Sequence, residues 1–279
     1  MKRLHFLRYL SLEVVLNALA VGVFALVWLD VSMPLSWWIL LALSVWTVYT
    51  TDHLVDAFRK PLIPVIARHR FHREHSKGIG TMLVAVCLVN IFLLLRFPDL
   101  RLIVGGAVLL AFAGLYFYIL RFSPRLGNQL PKELIVAGIF LCGIWFAPLM
   151  ELADYLKHSD IIMLFIFFLL AFAETAIVSW FEQEQDLADG HPSFALKMGK
   201  RKSRKILLIV LYISVLLSII LLFLSENQIH KFGAIILMIM GILLIQILLF
   251  PTFFAQKSRY HIAGDAVFML PAVLVFSYS

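Results

Sequence analysis

Apolar residues along this chain come in long runs closed off by charge, proline or glycine, without the alternation that marks a membrane β-barrel. A helix needs about 20 mostly apolar residues to cross the hydrocarbon core of a bilayer. Nine such runs are present, near residues 11–29, 35–56, 80–97, 102–121, 132–150, 160–182, 205–225, 231–250 and 262–278. The pattern predicts an all-α, polytopic membrane protein: a bundle of nine transmembrane helices forming a single domain over residues 1–279. Lys2, Arg3 and Arg8 precede the first run as they would in a secretory signal. The run is too long for one and lacks a small-residue cleavage site, so it is read as a retained helix.

Composition agrees with the pattern and removes other classes. Residues are 62% hydrophobic and 15% charged, against roughly 45–50% and 25% in soluble domains. A soluble nucleotide-binding enzyme, a disulfide scaffold and a disordered regulator are excluded. Cys87 and Cys142 are the only cysteines and both lie inside apolar runs, so no thiolate metal site is indicated. The net charge of +7 would suit nucleic acid, but its placement gives another explanation. The amino terminus and the even-numbered loops hold nearly all Lys and Arg, including Arg59, Lys60, Arg68, Arg70, Arg73, Arg121, Lys132 and the run Lys200–Lys205. Basic loops stay in the cytoplasm, which places the amino terminus there, the carboxyl terminus on the opposite side, and no nucleic acid among the partners. The connections after the second and sixth runs are long, and both fall on the cytoplasmic side.

Candidate chemistry sits where those two long loops begin. The second run ends in Thr51-Asp52-His53-Leu54-Val55-Asp56, and the sixth in Glu182-Gln183-Glu184-Gln185-Asp186. Residues four apart share a helix face, so each pair sets two carboxylates side by side. Like charges at that spacing repel, and near a bilayer they are costly as well. A hard divalent cation relieves both problems, and magnesium takes carboxylates together with the phosphates of a substrate. One such pair alone is ordinarily a solvated helix end; two pairs on one side, each followed by a basic loop, point to a bound metal diphosphate facing the cytoplasm.

Other polar positions have plainer readings. His69, His72 and His75 are interleaved with Arg68, Arg70 and Arg73, which oppose a metal, so this stretch reads as a basic loop touching headgroups or phosphate. Trp37 and Trp38 read as an interfacial aromatic belt. Glu13, Asn17 and Asp265 lie at membrane depth and are expected to face the bundle interior, as cavity lining or as interhelical hydrogen bonds.

The two acidic motifs resemble those of the UbiA superfamily of intramembrane prenyltransferases, nine-helix proteins with an aspartate-rich motif at the cytoplasmic ends of helices two and six. The family's NxxxDxxxD is matched by Asp52 and Asp56, with Val48 at the Asn position. Its second motif is matched by Asp186, with Glu182 in place of the first Asp, and Gly190, Ser193 and Phe194-Ala195-Leu196-Lys197-Met198-Gly199-Lys200-Arg201-Lys202 follow in register. Tyr118 to Arg121 and Pro131 to Gly138 also resemble the family's region between helices four and five. The resemblance implies a divergent prenyltransferase with a UbiA-like bundle. It implies Mg2+ as cofactor and an isoprenyl diphosphate ionised to an allylic cation. The prenyl group then joins a hydrophobic or aromatic acceptor in the lipid bilayer. Asp52, Asp56, Glu182 and Asp186 would be the catalytic metal ligands, and Arg59, Arg121 and Lys132 would bind the diphosphate. Two alternatives stay open: a degenerate member that binds a lipid diphosphate without turnover, and a transporter relaying charge through Glu174 or Asp265. A CDP-alcohol phosphotransferase is excluded, because its Asp-Gly and Ala-Arg signature is missing.

Overall fold

The computed structural model describes residues 9–58, 64–123, 129, 132–152, 155–190 and 192–277. Among these residues all regular structure is helical, in the order α1 (Leu12–Leu29), α2 (Leu35–Ala57), α3 (Ala67–Glu74), α4 (Ser76–Leu94), α5 (Leu100–Phe122), α6 (Lys132–Met150), α7 (His158–Phe181), α8 (Gln183–Asp189), α9 (Phe194–Met198), α10 (Lys200–Leu224), α11 (Gln228–Leu249), α12 (Pro251–Ala255) and α13 (Arg259–Met269). A 3₁₀ turn at Gln256–Ser258 joins α12 to α13, and a 3₁₀ stretch at Leu270–Ser277 follows α13.

Eight described segments are long and apolar enough to cross a membrane. Helix α2, with 23 residues, is a further helix of spanning length, at about 35 Å; its last turns are polar. The chain is an integral, multi-pass membrane protein.

Three expectations change in detail. The last span is not one helix over 262–278 but the broken segment Pro251–Phe276. Its break lies at Lys257 and Ser258, both with φ of 53°, which neither Gly nor Pro announces in the sequence. The third predicted span, α4, starts at Ser76 and the seventh, α10, at Lys200, because polar residues outside the apolar window extend each helix. The two long connections are not plain loops: the first holds α3, the second α8 and α9.

The described residues fall into two compact units. The first comprises the described residues within 1–18, 33–130 and 184–192, the second those within 19–32, 131–183 and 193–279. In the first unit, no residue of α4 is buried, and Val84, Leu88 and Phe92 point outward, as lipid contact requires. Asn90 donates to Thr47 Oγ1 at 3.2 Å and links α4 to α2. Trp37, only 3% exposed, is buried inside the fold, so the aromatic-belt reading fails for it.

In the second unit, Phe24, Trp145 and Phe167 form the centre, with Phe24 and Phe167 edge to face at 5.0 Å. Helices α10 and α11 approach closely because position 241 is glycine: a Cβ there would lie 2.7 Å from Val215 Cγ2. Small residues are the usual means of close helix packing in membranes. The hydroxyls of Ser203, Ser214, Ser218 and Ser225 each donate to a carbonyl of their own preceding turn, so α10 carries no unmet donor into the apolar interior.

Candidate active site

In the first unit the helix α2 runs unbroken through its acidic motif, so Asp52 and Asp56 lie on one face, one turn apart. Asp56 is 5% exposed. Helix α3 is short and two-sided. His69 and His72, three apart, are buried, while Arg70 and Glu74 are exposed. The buried side meets the end of α2: His53 lies 5.2 Å from the His72 ring and 5.7 Å from the His69 ring, and His69 Nε2 stands 3.9 Å from Asp56 Oδ2. That last separation is too long for a hydrogen bond. His69 and His72 therefore face the end of α2 rather than headgroups, which corrects the headgroup contact expected for these two; His75 stays exposed. His72 Nδ1–H donates to the Arg68 carbonyl at 2.9 Å. Burial pulls the His72 imidazolium below its ordinary pKa, helped by the charges of Arg68 and His75 and opposed by that hydrogen bond.

Asp189, which the motif spacing does not reveal, holds the first unit's loop in place. Its two oxygens accept the Val65 and Ile66 backbone N–H groups at 2.8 and 3.1 Å, fixing the residues that lead into α3. Arg73 reinforces the join by reaching the Ala57 carbonyl at 3.5 Å and lying over the Phe58 ring. Asp186 precedes Asp189 by three residues on α8, and both are buried. The first unit thus contains Asp52, Asp56 and Asp186 together.

Glu182 belongs to the second unit. It is the C-cap of α7, and the helix breaks there, so Glu182 and Asp186 do not share one continuous helix face as the spacing predicts. The Glu182 carboxylate is 7% exposed, and its Oε1 accepts from His261 Nε2 at 2.8 Å and from the Tyr260 hydroxyl at 3.2 Å. Neither partner is visible from motif spacing; the only hint is a polar Tyr-His pair opening an apolar segment. Nearby in the same unit, Glu174 packs against Gly264, where a Cβ would come within 3.1 Å of its Oε1.

The segment after α8 is held by its own motif residues. Gly190 has φ of 70° and Gly199 of 77°, the left-handed region that favours glycine. Ser193 caps α9 by accepting from Leu196 N, and Glu133 Oε1 accepts the Phe194 N–H at 2.7 Å. Gln183 Nε2 donates to the Ala195 carbonyl, and Trp180 Nε1 to that of Lys200. Of the expected diphosphate ligands, Lys132 is half-buried at the start of α6, Arg121 is exposed in the last turn of α5, and Arg59 lies outside the described residues.

Comparison with known proteins adds to this geometry. The UbiA prenyltransferase family matches residues 51–263. No curated protein matches in sequence. Among solved structures, a UbiA homologue from Archaeoglobus fulgidus bound to GPP and Mg2+ is similar with a TM-score of 0.67 at 13% identity, over 97% of this chain and 99% of that one. The same homologue bound to DMAPP and Mg2+ gives 0.65 at 13% identity, over 97% and 98%. Bound to Cd2+ it gives 0.64 at 14% identity, over 97% and 98%. At such identities the likeness establishes the shared fold.

Proposed function

The chain belongs to the UbiA prenyltransferase family, and on that premise we propose that it takes an isoprenyl group from an isoprenyl diphosphate and passes it to a lipid-soluble or aromatic acceptor. One observation carries this reading: acid accumulates at the wrong ends of helices. Asp52 and Asp56 close α2 and Glu182 caps the C-terminus of α7, where the helix dipole disfavours negative charge. A cation stabilises such an arrangement. The donors are all carboxylate oxygens, the ligand type magnesium prefers. Among the described residues no three His, Cys, Asp or Glu side chains converge on one metal position; magnesium ordinarily completes its shell with water and substrate phosphate.

Asp52, Asp56, Glu182 and Asp186 are the residues we assign to hold Mg2+. Bound there, the metal would offset the charge that develops on the leaving diphosphate. Lys132, Arg121 and Arg59 bind diphosphate oxygens and orient the leaving group. The bond between the allylic carbon and the ester oxygen breaks with its electron pair going to the diphosphate. The acceptor then adds to the allylic cation and loses a proton. Apolar faces of the bundle hold the prenyl chain. The Archaeoglobus fulgidus homologue bound to DMAPP or GPP with Mg2+ supports both the substrate class and the ion. The basic loops support a site facing the cytoplasm, with the amino terminus on the same side and the carboxyl terminus opposite. A cysteine introduced between residues 190 and 204 should then react only from the cytoplasmic face.

A second reading, a diphosphate binder without turnover, is favoured by the engagement of Glu182 Oε1 with Tyr260 and His261. The two are separated by incubating purified protein with magnesium and labelled isoprenyl diphosphates, with and without membrane extract. Magnesium-dependent release of diphosphate is expected. Binding without release under every condition favours the second reading, and neither binding nor release removes both.

A further inference from the structure

We infer that Tyr260 and His261 are positioning residues that fix the Glu182 carboxylate, and that they are matched to glutamate at this position. The inference rests on the magnesium-diphosphate reading above. Three observations support it. The contact is specific: one oxygen, Glu182 Oε1, receives both the imidazole at 2.8 Å and the phenol at 3.2 Å, and all three residues are buried. It is also built from both sides. The Tyr260 ring stacks on Phe181 at 4.4 Å with 6° between the planes, so the residue before Glu182 seats the residue before His261. Finally, α13 starts from two consecutive left-handed residues, Lys257 and Ser258, each with φ of 53°. Non-glycine residues rarely adopt that conformation, and here it occurs immediately before Arg259-Tyr260-His261.

Length explains the match. Aspartate at position 182 would withdraw the carboxylate by about one carbon–carbon bond, roughly 1.5 Å, and a 2.8 Å hydrogen bond lengthened by that much is lost. Glutamate spans the gap. Groups that orient a metal-binding carboxylate typically change metal affinity by about 10–100-fold when removed, so the pair's role should be readable in magnesium dependence.

The test uses the full chain in lipid nanodiscs, with labelled geranyl diphosphate and a magnesium titration. His261→Leu should raise the magnesium concentration for half-maximal binding by about 10-fold or more. His261→Gln, which restores an N–H donor, should recover most of that loss. Tyr260→Phe keeps the stack on Phe181 and removes only the hydroxyl; a shift of about fivefold is expected. In a Glu182→Ala background, His261→Leu should add little, since residues acting through one another are non-additive. Without magnesium, the melting temperatures of the same single and double variants should show the same non-additivity. Should His261→Leu fail to fold, Tyr260→Phe and His261→Gln carry the comparison. Unchanged half-saturation in the folded variants, or additive effects, overturns the inference while leaving the function standing. Wild-type protein that shows no magnesium-dependent binding removes the functional reading, and this inference with it.

Discussion

The two ends of α7 each bury a carboxylate, and they bury it for opposite reasons. At the start of the helix, Asp160 accepts from the Trp28 indole and from the Lys157 backbone N–H, both at 2.8 Å. His230 then stacks on Trp28 at 4.2 Å and donates to its carbonyl. Every donor to Asp160 is one that keeps its proton, and the helix dipole favours negative charge at this end. Glu182 lies at the other end, against the dipole, and its donors are an imidazole and a phenol. Asp160 locks α1, α7 and α11 together, whereas Glu182 is held against the dipole by Tyr260 and His261. Glu13, Asp99 and Glu133 also stand at helix N-termini, as Asp160 does, while Asp52 and Asp56 close α2. Helix α8 runs the other way, with Asp186 in its first turn and Asp189, which accepts the Val65 and Ile66 N–H groups, at its last residue, so the contrast holds for α2 and α7.

The strongest way to break this comparison is to remove charge from the carboxylates proposed to hold magnesium. Asp56→Asn and Asp186→Asn keep the side-chain shape and lose the charge proposed to hold the metal. Each should lower magnesium-dependent diphosphate release by more than about 100-fold, beyond what loss of an orienting group costs. Melting temperature should hold or rise, because a buried charge has been removed. Release equal to wild type in both variants would take these carboxylates out of the mechanism.

Asp160→Ala should do the reverse. It leaves the Trp28 and Lys157 donors unmet, each costing about 1–3 kcal/mol. Thermal unfolding should shift down clearly, while diphosphate release per folded molecule stays near wild type. A loss of turnover without a loss of stability would show that the N-terminal end of α7 belongs to the reaction.

How far the sequence reveals these roles depends on the distance a contact spans. The long helices are legible because lipid demands a run of about 20 apolar residues, a demand visible locally. The pair Asp52 and Asp56 is legible because four-residue spacing becomes proximity on a helix that continues through both. Glu182 and Asp186 have the same spacing, but the helix breaks between them, so the spacing stops describing a shared face. Short polar helices such as α3 bury too little apolar surface to leave a pattern, which is why the inward turn of His69 and His72 is hidden. Tyr260 and His261 reach Glu182 from 78 and 79 positions away, and Asp189 reaches Ile66 across 123. No local rule anticipates such contacts.

The smallest expected effect concerns the cations, where the dipole argument runs with opposite sign. Lys132 opens α6, the end at which a positive charge is disfavoured, whereas Arg121 sits in the last turn of α5, where it is favoured. Arg121 is also exposed, with its guanidinium 5.7 Å from the Phe122 ring centre. By the contrast that separates Asp160 from Glu182, Lys132 is the one we propose as the stronger diphosphate ligand. One phosphate contact among several, partly exposed to water, is worth about 1 kcal/mol, or about fivefold. Lys132→Ala should therefore raise KM for the diphosphate by about fivefold with kcat nearly unchanged, the signature of binding shared by ground and transition states. Arg121→Ala should change KM by less than about twofold, since an exposed cation at a favourable helix end is replaced by solvent and salt at little cost. If Arg121→Ala proves the more damaging of the two, the helix-end contrast between Asp160 and Glu182 does not extend to the bases.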